Sequence, residues 1–257
     1  MPSILSKNDI EDSKKITIGV TCKNLCKGVG VITEYTGKGV TFNDCSCVRE
    51  FKWMCKLVQA NVPKKYWDFT LRNLIKEFIR ENNQVLALID GYVNQVDEMI
   101  KEGVGLYIEG VHGLAKTALS CYIIKQFLRA DKEAYFIRMS NLTHLVFDSI
   151  KDETSREKLL WIRKRTHLLV VDEIEKDYKI SDEATFSGAA ISEIFDEIYE
   201  TKKCLIITSN VTKDKLAKTH AESVVDRIME LVDIPLVGKG YRSTVDKKSL
   251  IIKGIKK

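Results

Sequence analysis

The 257-residue sequence predicts an α/β protein, a central parallel sheet flanked by helices, with a small zinc-binding N-terminal module. Three observations carry this. From Gly105 onward, strand-sized apolar runs alternate with helical patterns, and that alternation calls for a parallel sheet covered on both faces. A glycine-rich loop follows the first of these strands and opens a helix. Five of the seven cysteines fall between Cys22 and Cys55, which sets the N-terminal stretch apart chemically.

Composition narrows the class. With 44% hydrophobic and 30% charged residues, the chain can bury a core and is not of the disordered type. No apolar run approaches the roughly 20 residues needed to span a bilayer. Met1–Lys15 is polar and mixed in charge, unlike a secretory signal, so a cytoplasmic protein without a membrane segment is expected. An odd number of cysteines in such a chain points to reduced thiols, as core residues or metal ligands. The net charge of +5 permits contact with nucleic acid without requiring it.

The elements follow in order. Thr21–Cys47, rich in Gly, Thr and Cys, reads as short β-turns around a metal, and Val48–Asn61 as a helix ended by Pro63. Residues 1–60 are therefore taken as one module and 61–257 as the main domain. Asn83–Glu102 reads as one amphipathic helix with Leu86, Ile89, Val93, Val96 and Ile100 on a stripe, stopped by Gly103. Strands are expected at Gly105–Ile108, Ala134–Met139, Leu168–Val171, Cys204–Thr208 and Asp233–Val237. Helices are expected at Lys116–Arg129, Leu142–Ile150, Arg156–Arg165, Ala189–Glu200 and Ala221–Leu231. The polar stretch Glu175–Gly188 reads as a mobile loop. Cys121 and Cys204, in apolar segments, read as small buried hydrophobes.

Gly110-Val111-His112-Gly113-Leu114-Ala115-Lys116-Thr117, followed by Ala118, fits the P-loop pattern except that Ala115 replaces the glycine before the lysine. Backbone N–H groups at the helix N-terminus would hold the β-phosphate of ATP, and Lys116 would neutralise β- and γ-phosphate charge. Thr117 would offer its hydroxyl to Mg2+. A Cβ at Ala115 crowds the loop if that residue needs a positive φ. The apolar run Leu168–Val171 ends in Asp172 and Glu173, an acid to hold Mg2+ and an acid to orient the attacking water. Alone, such a strand end is as often two solvated acids; after a P-loop it reads as the second half of an ATPase site. Asn210 follows the expected strand Cys204–Thr208, where a neutral amide can hold the attacking water against the γ-phosphate; alone, an asparagine at a strand end is more often a turn former.

In this order the segments resemble the DnaC/IstB-type AAA+ ATPases over most of the chain. The segments concerned are 61–66, 104–110, Val170–Ile174, Ile207–Asn210, 222–228 and 236–242. The resemblance implies an AAA+ ATPase fold and makes Asn210 a sensor residue, Arg227 an arginine finger supplied in trans, and Arg242 a weaker candidate for a sensor on the same subunit. Without it, Arg227 reads as a surface ion pair with Asp226 or Glu230. Ser223 stands where some members carry a further arginine. The resemblance also implies partners: a replicative DNA helicase, single-stranded DNA, and further copies of the chain in an ATP-dependent assembly, hexameric ring or spiral. Loading of a helicase is the leading expectation. A transposition accessory ATPase of the IstB sort, or a DNA-binding module with weak ATPase activity, are the alternatives.

Cys22-x₃-Cys26 and Cys45-x-Cys47, with glycines between the pairs, match a tetrahedral Zn2+ site of four thiolates, ahead of an iron–sulfur cluster or four unrelated reduced thiols. In a module this small the metal would supply folding energy. A similar Cys-rich N-terminus in phage and Gram-positive-type members of the resembling family points the same way. The basic runs 163–165, 213–218 and 247–257 read as solvated faces. Phe147 reads either as core or, on the resemblance, as a base-stacking residue facing the central channel.

Overall fold

The computed structural model describes residues 31–36, 39–176, 186–218 and 222–240, with the backbone alone for 31–36, 39–44, 186–188 and 223. It divides into two compact units, Met1–Trp67 and Asp68–Lys257. Cys22, Cys26, Arg242 and most of the expected loop Glu175–Gly188 lie outside the described residues.

In the first unit, strands β1 (Val31–Thr36) and β2 (Gly39–Asp44) pair antiparallel, Val31 opposite Asp44 and Thr36 opposite Gly39. The expectation of short turns here gives way to two six-residue strands, in keeping with the β-branched and aromatic residues Val31, Ile32, Thr33 and Tyr35. Helix α1 (Ser46–Gln59) follows directly. It ends in a left-handed cap: Asn61 sits at φ 55°, its N–H donates to Val58 O, and Val62 N–H donates to Leu57 O. These bonds satisfy the last carbonyls before Pro63.

The second unit is built on a five-stranded parallel sheet. Its strands are β3 (Leu106–Glu109), β4 (Ala134–Arg138), β5 (Leu168–Asp172), β6 (Cys204–Ser209) and β7 (Val232–Pro235), in the order β4-β5-β6-β3-β7. The register pairs Leu106 with Ile206 and Val171 with Ile207. Nearly every residue of the central strands is buried, as expected of a sheet covered on both faces.

The helices are α2 (Lys76–Glu81), α3 (Asn83–Asn94), α4 (Val96–Glu102), α5 (Lys116–Arg129), α6 (Met139–Asp148), α7 (Glu153–Arg165), α8 (Phe186–Glu200), α9 (Lys213–Leu216) and α10 (Glu222–Met229). Helix α5 packs on β4, β5 and β6. A core cluster unites Leu169, Val171, Leu205 and Ile207 with Leu142 and Val146 of α6, Ile162 of α7, and Ile191 and Phe195 of α8. Burial of each such side chain contributes roughly 1.5–3 kcal/mol.

Three expectations are corrected. Asn83–Glu102 is two helices, because Gln95 leaves helical geometry at φ −126°, ψ 39°. The Gln95 side chain donates to Gly91 O (3.2 Å), the carbonyl its own N–H would use, and that N–H turns to Tyr92 O (3.3 Å). Met139 opens α6 and is not the end of β4. Lys213 is no solvated lysine: it is buried, and its Nζ donates to Leu231 O (2.5 Å) and Met229 O (3.3 Å) and pairs with Asp233 (2.8 Å). These bonds satisfy carbonyls at the C-terminal end of α10. Gly103, at φ 67°, caps α4 as expected. Cys121 and Cys204 are fully buried, and burial pushes the Cys204 thiol up to about 11.

Candidate functional site

The site lies at the carboxyl ends of β3, β5 and β6, where an open parallel sheet presents its ligand crevice. After β3 the chain turns through Gly110 (φ 149°), Gly113 (φ 88°) and Ala115 (φ 57°) before α5 begins at Lys116. Ala115 therefore does adopt the left-handed conformation, at a cost of about 1–2 kcal/mol relative to glycine. Its carbonyl accepts from Leu119 N–H (2.9 Å), so the loop runs directly into the helix. Leu114 is buried and pins the loop, while Val111 and His112 are exposed. Ala118 is buried beneath the first turn.

Lys116 is only 7% exposed. Its Nζ donates to Gly110 O (2.5 Å), Val111 O (3.1 Å) and the side-chain oxygen of Asn210 (2.8 Å). Thr117 Oγ1 donates to Asp172 Oδ1 (2.9 Å), and so does Thr208 Oγ1 (2.7 Å). Asp172 is 1% exposed. Burial raises its pKa, and the hydrogen bonds from Thr208 and Thr117 offset only part of that rise. Glu173 follows at φ 59°, a left-handed position for a non-glycine residue. Its N–H donates to Thr208 Oγ1 (3.0 Å) and its carboxylate pairs with Lys176 (2.8 Å). Strain of this kind concentrates at functional sites.

Lys116, Thr117, Asp172, Glu173 and Asn210 are thus brought together, as the sequence predicts. Two further residues belong with them. Thr208 bridges Asp172 and the Glu173 backbone. Glu175, expected in the loop, sits in a 3₁₀ turn (Ile174–Lys176) and accepts from Ser209 Oγ (3.0 Å) and from Asn210 Nδ2. Thr208 emerges only from the structure, where the register pairing Val171 with Ile207 sets position 208 beside Asp172.

Arg227 stands apart from this group. Its Nε donates to Asp196 Oδ1 (3.0 Å), and its guanidinium lies 4.3 Å from the centroid of the Tyr199 ring. Its direct contacts come from two residues of α8 and not from Asp226 or Glu230, though the Glu230 charge still acts on it favourably. Arg163 and Lys164 are likewise held by α8, through Glu193 and Glu197. Phe147 is 41% exposed on α6 and so is not a core residue. Cys45 is buried at the start of α1 and Cys47 half-buried in its first turn. Among the described residues no three His, Cys, Asp or Glu side chains form a metal-binding group, and two of the four expected zinc ligands lie outside them. No helix among the described residues is long and apolar enough to cross a membrane.

A five-stranded parallel sheet flanked by helices, with a glycine-containing loop after β3 and paired acids at the end of β5, is an α/β fold shared with solved proteins. Solved structures of that fold include the DnaC helicase loader: TM-score 0.59 and 22% identity, over 68% of this chain and 100% of that one. DnaI is similar at TM-score 0.57 and 20% identity, over 72% of this chain and 99% of that one. The replication initiator DnaA bound to AMPPCP and single-stranded DNA is similar at TM-score 0.55 and 18% identity, over 75% of this chain but 56% of that one. No family model and no curated protein matches the sequence. The fold is the one the DnaC/IstB-type resemblance implies.

Proposed function

We propose that the protein is an ATPase that loads a replicative DNA helicase onto single-stranded DNA. The single observation that supports this best is the convergence of Lys116, Thr117, Asp172, Glu173 and Asn210 at the carboxyl edge of the sheet. The likeness in fold to a helicase loader and to an initiator holding AMPPCP and single-stranded DNA supports the choice of role.

In this reading, phosphate oxygens of ATP take over Lys116 Nζ from the carbonyls of Gly110 and Val111. The loop N–H groups and the positive end of α5 favour the same charge. Val111, His112 and Gly113 line the approach, and Arg242 would act as a sensor. The Thr117 hydroxyl and the Asp172 carboxylate are hard oxygen donors meeting at one point, which fits Mg2+. That ion would offset charge on the phosphates. Glu173 would orient the attacking water once it leaves Lys176, and Asn210 would hold that water from the side. Arg227 would leave Asp196 and Tyr199 to reach the ATP of an adjoining copy.

The test is complementation. Arg227→Ala should bind ATP normally and hydrolyse it on the order of 10³-fold more slowly. Mixed with Lys116→Ala in the presence of single-stranded DNA, it should regain turnover, since each variant supplies the half the other lacks. Turnover independent of protein concentration, with no gain on mixing, would refute the assembly.

We also propose that Cys22, Cys26, Cys45 and Cys47 bind one Zn2+ that stabilises the N-terminal module, which would dock the helicase. Elemental analysis should find about one zinc per chain. Full zinc retained in the Cys45→Ser, Cys47→Ser double variant would rule out this ligand set.

A further inference from the structure

The geometry points to Glu175 as a positioning residue of the site, one that fixes which way the Asn210 amide faces; this rests on the ATPase reading above. Ile174 is fully buried and anchors the turn, and Lys176 N–H donates to Glu173 O (3.1 Å). The turn thereby aims the Glu175 carboxylate at the end of β6. There Ser209 Oγ donates to one of its oxygens (3.0 Å) and Asn210 Nδ2 to the other. Ser209 Oγ in turn accepts from Val211 N–H (3.1 Å), so the backbone just beyond Asn210 is tied to the same group.

A carboxylate accepts and does not donate, whereas an ammonium donates and does not accept. Asn210 lies between one of each: Glu175 on its nitrogen side and Lys116 on its oxygen side (2.8 Å). Only one of the two amide orientations satisfies both neighbours. When ATP draws Lys116 away, the amide oxygen loses its reason to face the site, and Glu175 alone keeps it there. The oxygen is then free to accept from the attacking water. With Ala at position 175 the amide would have no fixed orientation in that state.

Glu175→Ala should lower kcat by on the order of 10-fold to 10²-fold. The affinity for a non-hydrolysable ATP analogue should stay within about threefold. Glu175→Gln, whose amide oxygen can still accept from Asn210, should recover most of the turnover. Against an Asn210→Ala background, Glu175→Ala should cost nothing further, because it acts through the missing amide. In NMR spectra with the analogue bound, the Asn210 side-chain N–H signals should shift in Glu175→Ala and not in Glu175→Gln. Parental kcat in Glu175→Ala, additive losses in the double variant, or analogue binding that falls as far as kcat would each overturn the role. If the parent turns over ATP no faster than Lys116→Ala, the ATPase reading fails on its own. Unchanged Asn210 signals in Glu175→Ala would then overturn the positioning role as well, and shifted signals would uphold it.

Discussion

On the loop side of the site, from Gly110 to Thr117, the shape is made by backbone: three left-handed or glycine-only conformations in six residues, with Leu114 buried to hold them. On the carboxylate side, from Asp172 to Glu175 and across to Asn210, the shape is made by side chains. Thr208 holds Asp172 and the Glu173 N–H, and Glu175 holds Ser209 and Asn210. A backbone cradle needs specific residue types at fixed spacing and shows itself as a motif. A side-chain network needs only groups that meet in space, and its members can be scattered along the chain. The two sides should therefore respond differently to substitution, the first in binding and the second in turnover.

The sharpest separation is between Glu173→Gln and Lys116→Ala. Glu173→Gln should keep ATP binding and lose turnover by about 10²–10⁴-fold, since it removes a base and leaves the cradle intact. Lys116→Ala should abolish binding itself. Binding isotherms beside single-turnover rates check both, and parental turnover in Glu173→Gln would undo the assignment of that side. A smaller effect is expected from Thr208→Val, which keeps the shape and removes the hydroxyl shared by Asp172 and Glu173. Turnover should fall about tenfold with ATP affinity little changed. Loss of affinity instead would mean that Thr208 serves the cradle.

The smallest effect lies outside both sides and tests the sheet beneath them. The folded Cys204 thiol has its pKa raised from 9.0 to about 11. The unfolded chain thus releases this proton first, and the stability held below pH 9 is lost as pH rises from about 9 toward 11. Cys204→Ala should flatten that part of the alkaline slope in denaturant titrations. An unchanged slope would place the titrating group elsewhere.

The sheet was legible because its strands are apolar and its connecting helices periodic; α5 runs over Lys116–Arg129 as expected. The break at Gln95 was not legible, because it turns on a side chain taking the Gly91 carbonyl, while the apolar stripe continues through it. That residues 110–117 would meet Asp172 and Glu173 was readable from type and spacing, whereas Asn210 joined them through the family resemblance. Glu175 was not readable, since in a polar run a carboxylate reads as solvated, and only the turn that follows β5 brings it to Asn210. For Arg227 the sequence offered neighbours on its own helix, and tertiary packing supplied Asp196 and Tyr199 in their place.

Gly240 and Asn82 add a wall to the P-loop from outside. A Cβ on Gly240 would overlap His112 O, and one on Gly110 would lie 2.8 Å from Leu236 O, so residues 236–240 run against the loop backbone. Asn82 pins that segment: Nδ2 donates to Val237 O (2.9 Å) and Oδ1 accepts from Val237 N–H (2.8 Å), as a neighbouring strand would. The contact spans 155 residues of sequence, so it closes one of the longest loops among the described residues. The final form of the loop therefore depends on contacts made from both ends of the second unit. A fragment cut short of residue 236 would carry residues 110–117 and lack the wall, and one begun after Asn82 would keep the wall and lack its pin, so on the proposed ATPase reading nucleotide affinity would gauge how far a truncated or refolding chain has come.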